Sequence, residues 1–201
     1  MSARKSKLTY FFVLLFIAVF FAVLHFAPLY LAYADKPVKS DAVVLFMGPD
    51  NKARQEDANR LISDGYARYL FIPALGKITD ASSLSVAAGT RRASTRPIIS
   101  GLKPRPYFEN THVEVLEAKR MLEKHALSSA IFVSAPVHMR RIKIITDRIF
   151  DGERFKIVFV PIRGEPARQG FFDQTLYDYG RMGKEYVKII WFLLYSSFRS
   201  T

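Results

Sequence analysis

The longest apolar run of the chain lies near its N-terminus. From Leu8 to Ala34 the apolar series is interrupted only by Thr9, His25 and Pro28. A helix over this run would be roughly 40 Å long at about 1.5 Å per residue, which exceeds the roughly 30 Å of a bilayer's hydrocarbon core. The apolar region of a secretory signal is usually only about 7–15 residues long. The pattern therefore predicts a retained transmembrane helix, although Ala32-Tyr33-Ala34 has the form of a cleavage site, and cleavage after Ala34 is the alternative.

The charges on either side of this run predict its orientation. Three basic residues and no acid precede it: Arg4, Lys5 and Lys7. The basic residues that follow it, Lys36 and Lys39, are mixed with Asp35 and Asp41. Loops rich in Lys and Arg stay on the cytoplasmic side. We therefore expect residues 1–34 to form a cytoplasmic N-terminus and anchor. Residues 35–201 would form one extracytoplasmic domain, on the periplasmic side of a bacterial inner membrane.

Short apolar runs alternate with amphipathic helical patterns through the rest of the chain. Strands are predicted at 41–47, 69–72, 130–134 and 156–160, and helices at 52–64, 81–93, 110–126, 137–150 and 183–198. Asp50 or Asn51 is the expected cap of the first of these helices, and Asp80 that of the second. Such alternation predicts right-handed crossovers and a mostly parallel sheet between helices. The predicted fold is α/β, a Rossmann-like three-layer sandwich preceded by one transmembrane helix.

Three regions leave alternatives open. The role of residues 77–108 is one of them, since prolines interrupt the region after residue 96. A basic cluster in this region either borders a site or faces water; its members are Arg91, Arg92, Arg96, Lys103 and Arg105. Residues 162–180 have the pattern of an irregular loop. The last helix is apolar nearly all round from Ile189 to Tyr195, which is too short to span a bilayer. It is therefore either buried, which we favour, or in contact with lipid.

Composition narrows the classes of partner. Thirty Lys and Arg residues against eighteen Asp and Glu residues give a net charge of +12. This charge favours anionic lipid or a phosphorylated glycan as a partner, or is simply a solvated basic surface. No basic stripe alternates with aromatic residues, so nucleic acid is not an expected partner. The chain has no cysteine, which excludes disulfides and thiolate metal sites.

The segment from Ile131 to Arg141 joins a predicted buried strand to a helix. Ser134 ends the strand, His138 lies in the first turn of the helix, and Arg141 follows on the same helical face. Ligands of open α/β sheets bind at the carboxyl ends of strands, and helix N-termini favour anions and a neutral imidazole. These residues predict an anion site in which His138 would be the acid or base of any reaction. The alternative is an ordinary surface histidine and arginine.

Two further groups should reach the same edge of the sheet. Gly48 lets a ligand approach the backbone after the first strand, and Arg54 in the next helix can reach back over it. Thr111 and Glu114 fit a helix capping box, with Asn110 as a rival cap. If this helix opens toward the sheet edge, the same three residues would hold a polar ligand group, and Glu114 would be the supporting carboxylate of any reaction. The four histidines lack zinc-motif spacing, so we predict no metal.

The order of these groups resembles that of the YdcF/SanA/ElyC family of bacterial envelope-associated domains. That family has a strand ending in glycines, an arginine in the next helix, an Asn-Thr-x-x-Glu segment, and a strand followed by Ser-x-x-x-His-Met-x-Arg. The matching positions here are 41–48, Arg54, 110–114, Ser134 and 138–141. The family's turn after strand two corresponds to Ala74-Leu75-Gly76, which adds Gly76 to the candidate ligand-binding residues. The resemblance implies a Rossmann-like fold and, for membrane-anchored members, a role in envelope biogenesis.

The sequence thus predicts a membrane-anchored protein of envelope biogenesis or barrier maintenance. It would contact the lipid bilayer through residues 8–34 and bind an anionic small molecule or a lipid-linked, phosphate-bearing precursor. The candidate catalytic residues are His138 and Glu114, and the candidate ligand-binding residues are Gly48, Arg54, Gly76, Asn110, Thr111, Ser134 and Arg141. Two alternatives stay open: an enzyme or sensor that binds a nucleotide or S-adenosylmethionine, and a non-catalytic envelope scaffold.

Overall fold

The computed structural model of the chain describes residues 2–49, 51–81, 106–163 and 175–198. An apolar helix, α1 (Ser2–Leu31), precedes an α/β domain. The strands of the domain are β1 (Ala42–Leu45), β2 (Tyr69–Ile72), β3 (Lys77–Asp80), β4 (Ser129–Ser134) and β5 (Lys156–Pro161). Its described helices are α2 (Asn51–Ser63), α3 (Asn110–Lys124), α4 (Pro136–Ile149) and α5 (Leu176–Ser197), and a 3-10 turn covers Pro73–Leu75.

The five strands form one mixed sheet in the order β3-β2-β1-β4-β5. The pairs β1–β2, β1–β4 and β4–β5 are parallel, and β3 is antiparallel to β2. The chain therefore moves to one side of β1 to build β2 and to the other side to build β4. In open α/β sheets the crevice above such a point of reversal is where ligands bind. The topology therefore predicts a binding crevice at the carboxyl ends of β1 and β4.

Helices pack on both faces of the sheet because alternate strand residues point to opposite sides. Val43 and Leu45 of β1 face α2, whose buried residues include Ala58 and Leu61. Val44 and Phe46 face the other side, where the core contains side chains of α3, α4 and α5: Val115, Ala118, Met139, Ile142 and Phe192. The predicted α/β class, the mostly parallel sheet and the N-terminal apolar helix are confirmed.

The antiparallel strand β3 differs from the prediction. Residues 77–80 had no predicted strand, but they form β3, and the Oδ2 atom of its last residue, Asp80, lies 3.1 Å from Arg68 Nε. Asp80 directly precedes a helical residue, Ala81, as expected of a cap. Gly76 has a positive φ of 58°, which turns the chain back toward β2. The strand is short and only partly buried, so it lacks the apolar run that marks a central strand. Most of the helix predicted at 81–93, and the basic cluster that follows, lie outside the described residues.

Helix α5 begins earlier than predicted. Its first residue is Leu176 rather than Gly183, because Thr175 and Asp178 form a capping box in which each side chain accepts the other's backbone N–H. The expectation of an irregular loop up to residue 180 is therefore wrong for residues 176–180, and residues 164–174 lie outside the described part. One side of α5 is buried on the domain, through Met182, Glu185, Ile189 and Phe192. The remaining residues of α5 are exposed or half-buried, so the favoured expectation of burial holds for one side of the helix only.

The segment Tyr10–Leu31 of α1 is long and apolar enough to cross a membrane. Its last turns pack on the domain: Leu31 is fully buried beside Met182 and Ile189 of α5. The hydroxyl of Tyr186 donates to Ala27 O at 2.8 Å. The connection between α1 and α5 is therefore a packed contact and not only a tether.

The chain that leaves α1 stays attached to the domain. Arg140 Nε donates to Tyr30 O at 2.7 Å, and the guanidinium lies over the rings of Tyr30 and Tyr33. Asp35 then extends the edge of the sheet, since its N–H donates to Phe159 O at 2.8 Å and its carboxylate accepts from Phe159 N at 3.0 Å. The short polar linker is thus held to β5 at its first residue.

Candidate functional site

Arg54 crosses the gap between the carboxyl ends of β1 and β4. It comes from the first turn of α2, and its side chain is buried at 1% exposure. Its Nη1 atom donates to Phe46 O and to Ser134 Oγ, both at 2.9 Å. A buried guanidinium is destabilising unless it is hydrogen-bonded, and these two bonds hold it at the crevice between the strands. The structure thus brings Arg54 and Ser134 together, eighty residues apart in sequence.

Gly48 lies directly against this guanidinium. A Cβ atom at position 48 would stand 2.5 Å from Arg54 Nη2, which is closer than any real contact of this kind. The expected approach of Arg54 over Gly48 is present, but the guanidinium, and not a ligand, occupies the space beside the glycine. Asn51 is the first residue of α2 rather than its cap, and its Oδ1 accepts from Gly48 N at 2.7 Å. Asp50, the other candidate cap, lies outside the described residues.

The N-terminus of α3 is capped by Glu109, so the predicted capping box of Thr111 and Glu114 is wrong, and so is the Asn110 cap. The Oε2 atom of Glu109 accepts from Thr111 N at 3.0 Å. The Thr111 hydroxyl instead accepts from Arg141, and the Glu114 carboxyl accepts from the backbone N–H of Met47. Both side chains therefore point to the strand ends. Asn110 is the first residue of α3 and is exposed.

Glu114 connects the two arginines electrostatically. Burial and the nearby charge of Glu109 raise its pKa to about 8, against the opposing influence of Arg141, Arg54 and the Met47 N–H. At neutral pH most molecules therefore have this carboxyl protonated. A protonated carboxyl donates a hydrogen bond and adds no negative charge to the site.

Arg141 lies between two carboxylates. Its side chain is buried; Nε donates to Glu185 Oε2 at 2.6 Å and Nη1 to Glu109 Oε1 at 2.8 Å. Burial opposes ionisation of Glu185, but His138 and Arg141 outweigh it and lower its pKa to about 2. Glu185 thus stays negative, and much of the charge of Arg141 is balanced within the protein.

His138 is more accessible than the Glu109, Glu185 and Arg141 side chains beside it. It lies in the first turn of α4, and its partly exposed ring places Nδ1 at 3.1 Å from Glu185 Oε2. The carboxylate that can hold the imidazole is therefore Glu185, and not Glu114 as the sequence suggested. The other ring nitrogen can take part in hydrogen bonding or proton transfer with a bound molecule.

Glu109 and Glu185 were missed by the sequence interpretation. Glu109 lies 32 residues before Arg141 in the sequence, and Glu185 lies 44 residues after it. A signal existed for Glu185: it is a charged residue in the middle of α5, in register with Met182, Ile189 and Phe192 on the buried side. A charge on an otherwise apolar helix face needs a buried partner. Glu109 had no comparable signal, because it precedes the helix that it caps.

Gly76 lies at the end of a different strand from the other candidates. It follows β2, on the far side of β1 from Ser134, and it is exposed at the turn into β3. Its positive φ explains the residue by backbone geometry. The remaining candidates lie at or just after the ends of β1 and β4, or in the first two turns of α2, α3 and α4: Gly48, Arg54, Asn110, Thr111, Glu114, Ser134, His138 and Arg141.

A surface cavity of about 240 Å³ lies beside this cluster. His112 forms part of its wall; its ring stacks on Phe108 with centroids 4.4 Å apart, and Nδ1 is 2.9 Å from the Tyr195 hydroxyl. The other lining residues are Arg148, Ile149, Phe192 and Ser196. No predicted site residue lines this cavity. Its aromatic wall orders the N-terminal part of α3 against α5.

No metal-binding group is formed by the described residues, since no three His, Asp or Glu side chains among them are close enough to hold an ion. Comparisons with protein-family models, with curated proteins and with solved structures found no match for the chain. Membership of the YdcF/SanA/ElyC family stays a prediction from the motifs.

Proposed function

We propose that this chain is a membrane-anchored protein of YdcF/SanA/ElyC type, with a Rossmann-like three-layer domain that binds a phosphate-bearing group. The ligand would be an anionic precursor used in building or maintaining the cell envelope. The observation that supports this best is the position of Arg54. Its guanidinium is fixed at the crevice between β1 and β4, next to the first turns of α3 and α4. A cation beside helix N-termini at such a crevice is a suitable anion site.

The electrostatics of the cluster are compatible with a bound anion. Helix N-termini supply partial positive charge through their free N–H groups. Glu114, with its pKa raised to about 8, is largely neutral at pH 7 and does not repel an incoming phosphate. Its protonated carboxyl has a hydrogen bond to donate to a phosphate oxygen. The site would therefore bind anions best below about pH 8.

The accessible and the buried residues would have different roles. Asn110, Thr111 and His138 are exposed or partly exposed, so they would contact the ligand. Arg54 and Ser134 are buried and would form the floor of the site, that is, the bottom of the crevice between β1 and β4, to which Arg54 adds positive charge. If the domain catalyses a reaction, His138 would transfer the proton and Glu185 would orient its ring.

Binding of a polyprenyl phosphate tests this proposal. The full chain in detergent micelles is titrated with a polyprenyl phosphate and, separately, with the same polyprenol without phosphate. We expect the chain to bind the polyprenyl phosphate but not the polyprenol. The Kd for the polyprenyl phosphate should rise about tenfold, or by roughly 1.4 kcal/mol, in His138→Ala. The matched control is His125→Ala, an exposed histidine at the other end of α3. Equal binding of both lipids, or an unchanged Kd in His138→Ala, would contradict the proposal.

The proposed location is the bacterial inner membrane, with α1 as a single span and the domain on the periplasmic side. It is supported by the apolar segment Tyr10–Leu31 and by the basic residues that precede it in the sequence. Alkaline phosphatase fused after Thr201 should be active, and green fluorescent protein at the same position should be dark. The opposite pair of results would place the domain in the cytoplasm. That outcome would favour the nucleotide or S-adenosylmethionine alternative.

The non-catalytic scaffold has one observation in its favour. Arg141 is enclosed by Glu109 and Glu185, so its charge is balanced without a ligand. Such an enclosed ion pair is also typical of a structural network that stabilises one conformation. A strain that lacks this protein is complemented with the double variant Asn110→Ala and His138→Ala. Full correction of its envelope defect would support the scaffold function. Loss of complementation with normal protein levels would support ligand binding.

A further inference from the structure

One face of α5 is apolar, uncharged and uncovered by the described part of the domain. Four of its residues are strongly exposed: Val187 at 66%, Ile190 at 55%, Leu194 at 52% and Phe198 at 83%. Trp191, at 47%, borders the same face. We call these five residues the α5 stripe. Successive helical residues turn by about 100°, which places all five within an arc of roughly 100°.

The charges of α5 lie outside this arc. Lys184 and Lys188 follow on the side next to Trp191, and Glu185 lies on the buried side with Met182 and Ile189. The helix therefore has a buried face, a charged face and an exposed apolar face. Apolar faces of this size on a monomer mark a contact with lipid or with another protein.

The position of α1 identifies lipid as the occupant. The apolar segment begins at Tyr10, and the roughly 30 Å of hydrocarbon takes up about 20 helical residues. The hydrocarbon would therefore extend to about Leu29, and Ala27 would lie within it. The Tyr186 hydroxyl donates to Ala27 O, and the ring of Tyr186 stacks on Tyr30 with centroids 6.2 Å apart. Tyr186 thus places the middle of α5 at the boundary of the bilayer.

The α5 stripe starts directly beside that contact. Val187 is the next residue, and Ile190 lies one turn along from Tyr186. A Trp at the edge of an apolar stripe, flanked by lysines, is typical of a helix that lies in the plane of the membrane interface. The aliphatic stem of Lys184 allows its ammonium group to reach a lipid phosphate, whereas the ammonium group of Lys188 is paired with Glu185 at 3.3 Å.

We propose that the α5 stripe lies in the headgroup region of the bilayer that α1 crosses, so that the domain has a second, in-plane attachment to phospholipid. This inference rests on the part of the proposed function in which α1 spans the membrane. It does not depend on what the site at the strand ends binds.

The chain provides its own probe, because Trp191 is its only tryptophan. The full chain is reconstituted into phosphatidylcholine vesicles with and without bromine atoms near the top of the acyl chains. A ring buried about 5–10 Å into the interface should lose roughly half of its emission in brominated lipid. Phe16→Trp with Trp191→Phe is the positive control, within the span. Glu56→Trp with Trp191→Phe is the negative control, since α2 packs on the opposite face of the sheet.

The pattern of quenching separates the two proposals. If Phe16→Trp is quenched and Trp191 is not, the α5 stripe is not in lipid and the inference is overturned, while the anchor stands. If neither is quenched, α1 does not span the bilayer and both fail. Since the chain has no cysteine, Leu194→Cys also tests the rival occupant. Efficient disulfide formation between copies, with unquenched Trp191, would assign the stripe to a second copy and overturn the inference.

Discussion

The guanidinium of Arg54 occupies the position that a side chain at residue 48 would need. A Cβ atom there would stand 2.5 Å from Nη2, 2.6 Å from Cζ and 2.7 Å from Nη1 of Arg54. The guanidinium cannot move aside without losing its hydrogen bonds to Phe46 O and Ser134 Oγ. Gly48 is therefore required by the packing of the site floor, whatever ligand binds above it.

Gly48→Ala should lower the free energy of unfolding by about 1–3 kcal/mol, because overpacking a buried site forces its neighbours to shift. The measurement is chemical denaturation in detergent micelles, with and without the substitution. The matched control is Gly152→Ala, where nothing lies within 4 Å of the new Cβ atom and the change should stay within about 0.5 kcal/mol. Equal effects at the two positions would show that the contact with Arg54 is unimportant.

Glu114 should make stability fall as pH rises. Its pKa is about 8 in the fold, against an ordinary value of 4.5. Between these values the folded chain keeps a proton that the unfolded chain releases, so stability declines over this interval and levels above it. Glu114→Gln has no such proton to lose. The unfolding temperature of the variant should therefore rise relative to that of the natural protein as pH increases from about 5 to about 8.

The control for this prediction is Glu56→Gln, an exposed carboxylate on α2. Its difference from the natural protein should stay nearly constant over the same pH range. A constant difference for Glu114→Gln as well would mean that Glu114 is ionised in the fold at neutral pH. The proposed neutral hydrogen-bond donor would then be excluded.

Glu185→Gln should destabilise the protein by about 3 kcal/mol or more at neutral pH, because it leaves the buried Arg141 with one carboxylate fewer. The pKa of Glu185 is lowered to about 2, so its contribution is present above pH 4.5 and is lost as pH falls toward 2. The natural protein and the variant should therefore converge in acid. Lys188→Ala removes a half-exposed partner of the same carboxylate and should change stability by less than about 1 kcal/mol.

Tyr186→Phe should loosen the contact between α1 and α5. The substitution removes the hydroxyl that donates to Ala27 O, and such a bond contributes about 1 kcal/mol. Amide hydrogen exchange in residues 28–33 should become faster, while exchange in β4 should not change. Tyr177→Phe, at an exposed tyrosine of the same helix, should leave both unaltered. Unchanged exchange in Tyr186→Phe would show that the contact does not hold α1.

The central strands were predictable because strands buried on both faces appear as continuous apolar runs. Val43 to Leu45 and Ile131 to Val133 form such runs, and both lie in the middle of the sheet. The floor of the site was predictable for a related reason. Gly48 and Ser134 directly follow or end these strands, so a correct strand assignment places them at the same edge.

The ion network around Arg141 was not predictable in the same way. The carboxylates that hold it come from the residue before α3 and from the middle of α5, and no local spacing connects them with Arg141. Thr111 and Glu114 matched a local capping pattern, but Glu109 is the cap and both side chains bind distant groups. Here tertiary contacts overrode the local signal. The edge strand β3 escaped detection because its burial is partial.

Asp35 couples the orientation of the domain to that of α1. The chain emerging from α1 is hydrogen-bonded to Phe159 within four residues of Leu31, so tilting the anchor would tilt the sheet with it. If α1 spans the membrane as proposed, the crevice above β1 and β4 would stand at a constant height over the bilayer and open in a constant direction. A lipid-borne molecule would reach it only from the side to which that opening is turned.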